Sequence, residues 1–341
     1  MKAVILGGSG YTGGELLRLL LRHPEIEVVQ VTSDSMAGKP VGRAHPNLRR
    51  ATDLVFARHD ARVTADVTFL ATPHGASMAV VPDLLSSGGL VVDLSADFRL
   101  KDPSAYPRYY GREHPRPDLL ASAVYGLPEL HRDRLRTAQL IAVPGCIATA
   151  ATLAIAPLSR AGLLDPAPVV VDAKSGSSAS GREVGATGAH AERSGVMRAY
   201  APTGHRHTAE IEQETGATIA LTCHAIEPVR GVLATCHATL TRRVETKDLW
   251  RAYRAAYGAE PFVRIVHESE GLYREPEPRW LAGTNFCDVG FAADDRLPRA
   301  VALGALDNLG KGAAGNAVQS LNVRLGVPET TALDFLGLHP L

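Results

Sequence analysis

Cys146 is the residue of this chain best placed for covalent chemistry. It lies in Ile141-Ala142-Val143-Pro144-Gly145-Cys146-Ile147-Ala148-Thr149-Ala150. An apolar strand-like run, Leu140 to Val143, stops at a Pro-Gly turn, and a helical pattern of small residues starts at the thiol. At a helix N-terminus the free backbone N–H groups and the positive end of the helix dipole favour thiolate, the nucleophilic form of cysteine. The competing reading is a small buried residue that ends a strand.

A thiol nucleophile needs a base that can take and return a proton, and Pro202-Thr203-Gly204-His205-Arg206-His207-Thr208-Ala209-Glu210-Ile211-Glu212 offers two histidines at the start of a helical stretch. No HxxxH or HExxH spacing accompanies them, and no metal site is expected. A third polar stretch follows an apolar strand, Pro168 to Ala173: Lys174-Ser175-Gly176-Ser177-Ser178-Ala179-Ser180-Gly181-Arg182. Hydroxyls, glycines and basic flanks of this kind can wrap an oxyanion; a flexible linker is the alternative.

The elements that would position these groups are legible in part. Lys2 to Leu6 is an apolar strand, and Gly7-Gly8-Ser9-Gly10-Tyr11-Thr12-Gly13 follows it, with a helical pattern from Glu15 to Arg22. Gly8-x-Gly10-x-x-Gly13 between strand and helix is the dinucleotide spacing: a tight turn, a close backbone approach to pyrophosphate, and helix packed on strand. The next strand, Val28 to Thr32, ends at Ser33-Asp34-Ser35, where the adenosine ribose belongs. Asp34 suits the free 2′-hydroxyl of NAD, whereas Ser33, Ser35 and Lys39 suit the 2′-phosphate of NADP, and the residues leave both open.

Two further strand ends carry polar loops: Val67 to Ala71 with Thr72-Pro73-His74-Gly75, and Leu90 to Leu94 with Ser95-Ala96-Asp97-Phe98-Arg99. Such loops wall ligand sites in open parallel sheets; Arg99 suits an anionic substrate, and His74 reads as a solvated loop residue. Tyr106 to Pro117 reads as an ordered loop. Beyond the Cys146 helix, strands at 218–226, 232–242 and 262–266 and an amphipathic helix at 246–257 describe an α+β domain on a mixed or antiparallel sheet. Small residues in the helix after Asn308 allow close docking on a neighbour.

A chain of 341 residues is long enough for two cores, and 36 basic against 36 acidic residues leave no net charge to attract nucleic acid or an anionic membrane. No apolar run is long enough for a signal peptide or a membrane span, and the four cysteines, Cys146, Cys223, Cys236 and Cys287, form no CxxC pair. A cytoplasmic protein with reduced thiols is expected, Cys223 and Cys236 serving as core packing.

With these pieces in order, the chain resembles the N-acetyl-γ-glutamyl-phosphate reductase family over essentially its whole length. The resemblance rests on GGSGYTGGEL (7–16), HPNLR (45–49), DLSADFRL (93–100), YGLPEL (125–130), VPGC (143–146), KSGSSASGR (174–182), GHRHTAEI (204–211), GTNF (283–286) and DNLGKGAAGNAVQ (307–319). HAERSGVMRAYAPTGHRHTAE (190–210) and LDFLGLHP (333–340) look closest to the branch whose substrate is 2-aminoadipate 6-phosphate on LysW, a small acidic carrier protein of lysine synthesis; KSGSSASGR and VPGC look more like the arginine-pathway members.

The resemblance implies a Rossmann-type doubly wound NADP-binding domain, residues 1–145 plus 308–341, and an α+β catalytic and oligomerisation domain, residues 146–307, as in glyceraldehyde-phosphate dehydrogenases. It implies Cys146 as nucleophile and His205 as acid/base. It implies NADP(H) contacts at Gly8, Ser9, Gly10, Tyr11, Thr12, Gly13, Ser33, Ser35, Pro73, Gly176 and Asn308, and substrate or phosphate contacts at Arg99, Ser175, Ser177, Arg182, Arg198 and His207. The implied reaction is NADPH-dependent reduction of an acyl phosphate to a semialdehyde through a cysteine thioester, by a homodimer or homotetramer. The alternatives are N-acetylglutamyl-phosphate reduction, both activities together, or a catalytically silent NADP-binding regulator. Arg193 and Arg198 are the expected contacts for an acidic partner or a substrate carboxylate.

Overall fold

The computed structural model describes residues 1–61, 63–182 and 185–340. They form two compact units: Met1–Pro107, Gly111–Pro144 and Ala313–Asp334 make the first, and Arg108–Tyr110, Gly145–Gly312 and the C-terminal stretch from Phe335 make the second. Asn308 therefore lies in the second unit, where its Nδ2 donates to Ser178 Oγ (2.9 Å) and its Oδ1 accepts the Gly231 N–H (2.8 Å). The last residues lie there too: a Cβ on Gly283 would be 3.2 Å from the Phe335 ring, and the Tyr273 and His339 rings are 5.6 Å apart.

The first unit is built on seven strands, β1 (Lys2–Leu6), β2 (Glu27–Thr32), β3 (Phe56–Ala57), β4 (Val67–Leu70), β5 (Leu90–Asp93), β6 (Val124–Tyr125) and β7 (Leu140–Ala142). Their order is β3-β2-β1-β4-β5-β7-β6, and every pairing is parallel. Ala3, Ile5, Phe69, Val91 and Val92 are wholly buried, as expected of a parallel sheet covered on both faces and therefore apolar in runs. The strand order reverses between β1 and β4, so the loop after β1 opens at the switch point, where doubly wound sheets take their ligands. Gly7 turns the chain there with φ +80°, and a Cβ on it would be 2.6 Å from Ala71 O. Only glycine meets both conditions.

Helix α1 (Tyr11–Leu20) follows, one turn earlier than its apolar periodicity signals, because Thr12, Gly13 and Gly14 carry no hydrophobic pattern. The segment expected as an ordered loop, 106–117, begins with the helical turns Ala105–Tyr110, and the buried Tyr106 hydroxyl donates to Asp97 O (2.7 Å). The helix Gly315–Leu325 packs against α1. Its Asn322 is wholly buried, donates to Glu329 O (3.0 Å) and Thr331 O (2.9 Å), and bonds His23 Nε2 (2.8 Å) through Oδ1.

The second unit carries β8 (Val169–Ser175), β9 (Met197–Ala201), β10 (Ile219–Ile226), β11 (Val232–Thr239), β12 (Val263–Ile265), β13 (Cys287–Ala293) and β14 (Arg299–Leu306) in the order β12-β13-β14-β11-β8-β10-β9. The sheet is mixed: β8 and β10 are parallel, as are β12 and β13, and the other pairs are antiparallel. Strict alternation of buried and more exposed residues along β8 and β11 gives one face to the core.

That core is closed by α2 (Cys146–Arg160), α3 (His207–Thr215) and α4 (Thr246–Tyr257). Helix α2 approaches the sheet so closely that a Cβ on Gly304 would run into Ala150 O. Pro157 inside α2 has no N–H to offer the Leu153 carbonyl. The Tyr257 hydroxyl donates to that carbonyl instead (2.7 Å), and Tyr253 donates to Ala154 O (2.6 Å), so α4 repairs the break in α2. No helix among the described residues is long and apolar enough to cross a membrane.

Asn322→Ala leaves His23 and two carbonyls without their partner, and should lower the unfolding free energy by about 3 kcal/mol in a urea titration. A loss below about 1 kcal/mol would mean that these bonds are replaced by others.

Candidate active site

Cys146 is the first residue of α2, half-buried, with Gly145 as N-cap and no capping side chain in the way. The turn before it is held by a group that its own neighbourhood in sequence does not reveal. Glu210, wholly buried one turn into α3, accepts the Gly145 N–H at Oε2 (2.9 Å), and its Oε1 is 3.8 Å from His207 Nε2. The His207 ring lies against Gly145, with no room there for a Cβ. On another side a Cβ on Gly312 would be 2.6 Å from the Cys146 Cβ. The Cys146 thiol thus sits where two glycines allow α3 and the Gly312 turn to close on it. His207, expected as a phosphate contact, is 5% exposed and serves this packing.

His205 stands just ahead of α3. Its ring is 4.6 Å from that of His207 and 5.9 Å from that of Tyr200, both edge-on. Burial, reinforced by the Arg206 cation, brings its imidazole down to about 4, so it is neutral near pH 7. Nδ1 accepts the His207 N–H (3.2 Å), which leaves the ring proton of the neutral form on Nε2. Tyr200, on β9, is half exposed, and its hydroxyl lies near the Cys223 thiol and within electrostatic range of Cys146. Burial raises the Tyr200 hydroxyl above its usual range and pushes Cys223 up to about 12, so both are neutral partners. Cys223 is core, as expected, and it also anchors Tyr200.

The loop after β8 is rigid and not a linker. The Gly176 N–H donates to Gly231 O (2.9 Å), the Ser177 and Ser178 N–H groups donate to Pro228 O and Val229 O (2.9 Å each), and a Cβ on Gly176 would be 2.8 Å from both those carbonyls. Ser178 Oγ, also bonded to Val229 O, is clamped by Asn308. Ser175 is 4% exposed, and its Oγ has no hydrogen-bond partner. Arg182 lies at the exposed end of the loop. Arg193 Nη2 reaches Ile226 O (2.7 Å) and Ser175 O (3.4 Å), while the exposed Arg198 bonds Glu192 O (3.2 Å).

In the first unit the glycine loop fits a dinucleotide. Gly10 caps α1 without a side-chain bond, the nearest atom to a Cβ there would be Gly7 O at 4.0 Å, and a Cβ on Gly13 would be 2.6 Å from Gly8 Cα. Pyrophosphate can therefore approach the backbone N–H groups from Ser9 to Gly13. His45, in the HPNLR stretch, backs this loop by bonding Gly8 O (2.8 Å). At the ribose end, hydroxyls link Ser9 to Ser33 (2.8 Å) and Ser33 to Ser35 (3.3 Å). Asp34 turns away to accept the His59 N–H (3.0 Å), which holds its carboxyl below the usual range.

Pro73 is exposed after β4, and the adjacent His74 accepts the Ala96 N–H at Nδ1 (3.0 Å). Arg99 is the expected substrate or phosphate contact after β5. It is 6% exposed and donates to Val143 O (2.7 Å) and Leu94 O (3.1 Å), tying strand ends together. Among the described residues no group of three or more His, Cys, Asp or Glu could hold a metal ion.

Residues 2–138 match the family model for the semialdehyde dehydrogenase NAD binding domain, and residues 146–308 that for the semialdehyde dehydrogenase dimerisation domain. A Thermomicrobium roseum protein provisionally named as a LysW-L-2-aminoadipate 6-phosphate reductase is 55% identical, over 100% of this chain and 99% of its own. The LysW-L-2-aminoadipate 6-phosphate reductase of Deinococcus radiodurans is 50% identical over 98% of this chain and 97% of its own. Among solved structures, aspartate semialdehyde dehydrogenase II of Vibrio cholerae superposes with a TM-score of 0.73 at 14% identity, covering 95% of this chain and 98% of that one, a likeness of fold.

The depressed His205 makes stability depend on pH. In the unfolded chain it takes a proton below its ordinary 6.5, and in the folded chain only near 4, so stability present above pH 6.5 is lost as the pH falls toward 4. Urea titrations at pH 7.5 and pH 5 should differ by about 2 kcal/mol more for the wild type than for His205→Gln. Equal pH slopes would contradict the buried, neutral imidazole.

Proposed function

Because the chain belongs to the semialdehyde dehydrogenase family, whose domains span residues 2–138 and 146–308, we propose that it reduces an acyl phosphate to a semialdehyde with NADPH. The substrate is 2-aminoadipate 6-phosphate carried on LysW. The observation that carries this reading is a thiol at a helix start, fixed between Gly145 and Gly312, with the neutral His205 ring 4.6 Å from the His207 ring that packs on Gly145.

The dinucleotide supplies a hydride when bound. Gly8, Gly10 and Gly13 would hold its pyrophosphate, and the Ser9, Ser33 and Ser35 hydroxyls its 2′-phosphate, Asp34 being drawn off by His59. The Cys146 sulfur attacks the acyl carbon; the C–S bond forms, the C–O bond to phosphorus breaks, and phosphate leaves with the electron pair. Sγ then holds the acyl group as a thioester. His205 offers its Nε2–H to the acyl oxygen as negative charge develops there, and recovers the proton as the reduced hemithioacetal releases Sγ and the semialdehyde. The close-packed turn around Cys146 limits water, whose attack would waste the thioester.

The carrier enters because the relatives named above are named for LysW-bound substrates. A Pyrobaculum aerophilum relative, 50% identical over all of this chain, is provisionally named for LysW-L-glutamate phosphate as well, which favours a second, shorter carrier-bound substrate over free N-acetylglutamyl phosphate. The dimerisation-domain match supports a homo-oligomer. A cytoplasmic location suits a biosynthetic enzyme of this kind.

Steady-state assays should show NADPH oxidation with LysW-bound aminoadipyl phosphate and little with free N-acetylglutamyl phosphate. Cys146→Ser should reduce turnover at least ~10³-fold. Negligible turnover of the carrier-bound substrate would sink the substrate assignment, and a fully active Cys146→Ser the thioester.

A further inference from the structure

We propose that Arg206, between the two histidines, is the residue that binds the phosphoryl group at Cys146, with the Ser175 hydroxyl as a second donor; the assignment rests on the acyl-phosphate reading above. Arg206 is the N-cap of α3, next in sequence to His205. Its Nε is buried and has no hydrogen-bond partner in the protein. A buried guanidinium N–H left without an acceptor is costly, and an anionic ligand removes that cost.

Arg198 is engaged with Glu192 and Arg230 with Asp307 at 2.7 Å, and Arg193, whose Nε is likewise buried without a partner, spends its Nη2 on Ile226 O and Ser175 O. The Arg206 charge is felt by His205, Tyr200 and Cys223, and the charge of Cys146 by Tyr200 and Cys223. Arg206 also immediately precedes His207, whose ring packs on Gly145, the residue before Cys146.

Ser175 lies on the sheet face that also carries Cys223. In the parallel β8–β10 pair Ala173 faces Cys223 and Ser175 faces Ala225. Ser175 and Cys223 therefore point to the same, helix-covered face of the sheet, about 7 Å apart along the strand direction. Ser175 Oγ on that face and Arg206 Nε at the start of α3 are both buried donors without a partner in the protein.

Chemistry selects which anion they take. The phosphorus of an acyl phosphate is one oxygen removed from the carbon that Cys146 attacks. The amino-acid end of the substrate is several bonds away. A cation adjoining His205, whose Nε2–H must reach the acyl oxygen, is within reach of the phosphoryl oxygens and not of the far end. There it neutralises the leaving group as the C–O bond breaks. In the oxidative direction it holds inorganic phosphate while a phosphate oxygen bonds the acyl carbon and the C–S pair returns to sulfur.

The test uses Cys146 as its own reporter. Rates of Cys146 alkylation by the anion iodoacetate and by neutral iodoacetamide are compared in the wild type, Arg206→Gln, Arg206→Lys and Ser175→Ala, without cofactor, with and without inorganic phosphate. In the wild type phosphate should slow alkylation by iodoacetate. Arg206→Gln should lower the iodoacetate-to-iodoacetamide ratio about tenfold and abolish phosphate protection. Arg206→Lys should retain part of both, and Ser175→Ala should weaken the protection.

In the oxidative assay with semialdehyde and NADP⁺, Arg206→Gln should raise the KM for phosphate at least about tenfold and change the KM for semialdehyde less than about twofold. Unchanged ratio and protection in Arg206→Gln would overturn the proposal. So would a fall in the ratio without phosphate competition, or equal shifts in both KM values. Phosphate protection in a wild type that reduces no acyl phosphate would instead overturn the function and leave the anion site standing.

Discussion

A single buried bond sets the geometry of this site: the Gly145 N–H donated to Glu210. A carboxylate without any exposure has to be matched by donors. Here it takes the backbone group immediately before the nucleophile and faces His207 as well. Helix α3 is thereby fastened to the start of α2, and the thiol, the two histidines and Arg206 come from two helix starts held in register. Glycine at 145 and 312 is required because the His207 ring and the Cys146 Cβ occupy the space that side chains there would fill.

The second unit repeats this economy of space. Gly304 lets α2 lie against β14, and the carbonyl that Pro157 frees in α2 is taken by Tyr257 of α4. The Cys146 helix is thus packed along its length as well as at its start. The loop after β8 is held in the same way by Gly176 and by the Asn308–Ser178 bond. For the proposed thioester chemistry such a frame would hold the thiol and its neighbours in place before substrate arrives.

Polar groups show the same division of labour. Tyr200 and Cys223 satisfy each other and remain neutral, and His205 is neutral because its surroundings disfavour charge. The cation acting on His205, Tyr200 and Cys223 is the Arg206 guanidinium, on a residue that the motif GHRH places between two more conspicuous side chains. Arg99, chosen from its position after a strand, proves to be a strap on main-chain carbonyls. Arginine after a strand end has many uses, and its type alone does not say which.

The sequence alone determined whatever depends on neighbours along the chain. The strand Lys2–Leu6 and the helix Thr246–Tyr257 are complete in their hydrophobic period, the Gly8, Gly10, Gly13 spacing needs only its flanking strand and helix, and Cys146 at a helix start follows from a Pro-Gly turn before a run of small residues. Other features depend on groups far apart in the chain. Glu210 meets Gly145 across 65 positions, Asn308 meets Ser178 across 130, and Gly312 meets Cys146, which no local period encodes. The short helix Ala105–Tyr110 and the edge strand Met197–Ala201 have no periodic signature either, because a buried Tyr106 and pairing with β10 hold them. Tertiary structure alone decided which polar side chains are satisfied by the protein and which, like Arg206 and Ser175, are left for a ligand, because hydrogen-bond satisfaction is a property of three-dimensional neighbours and not of residue type.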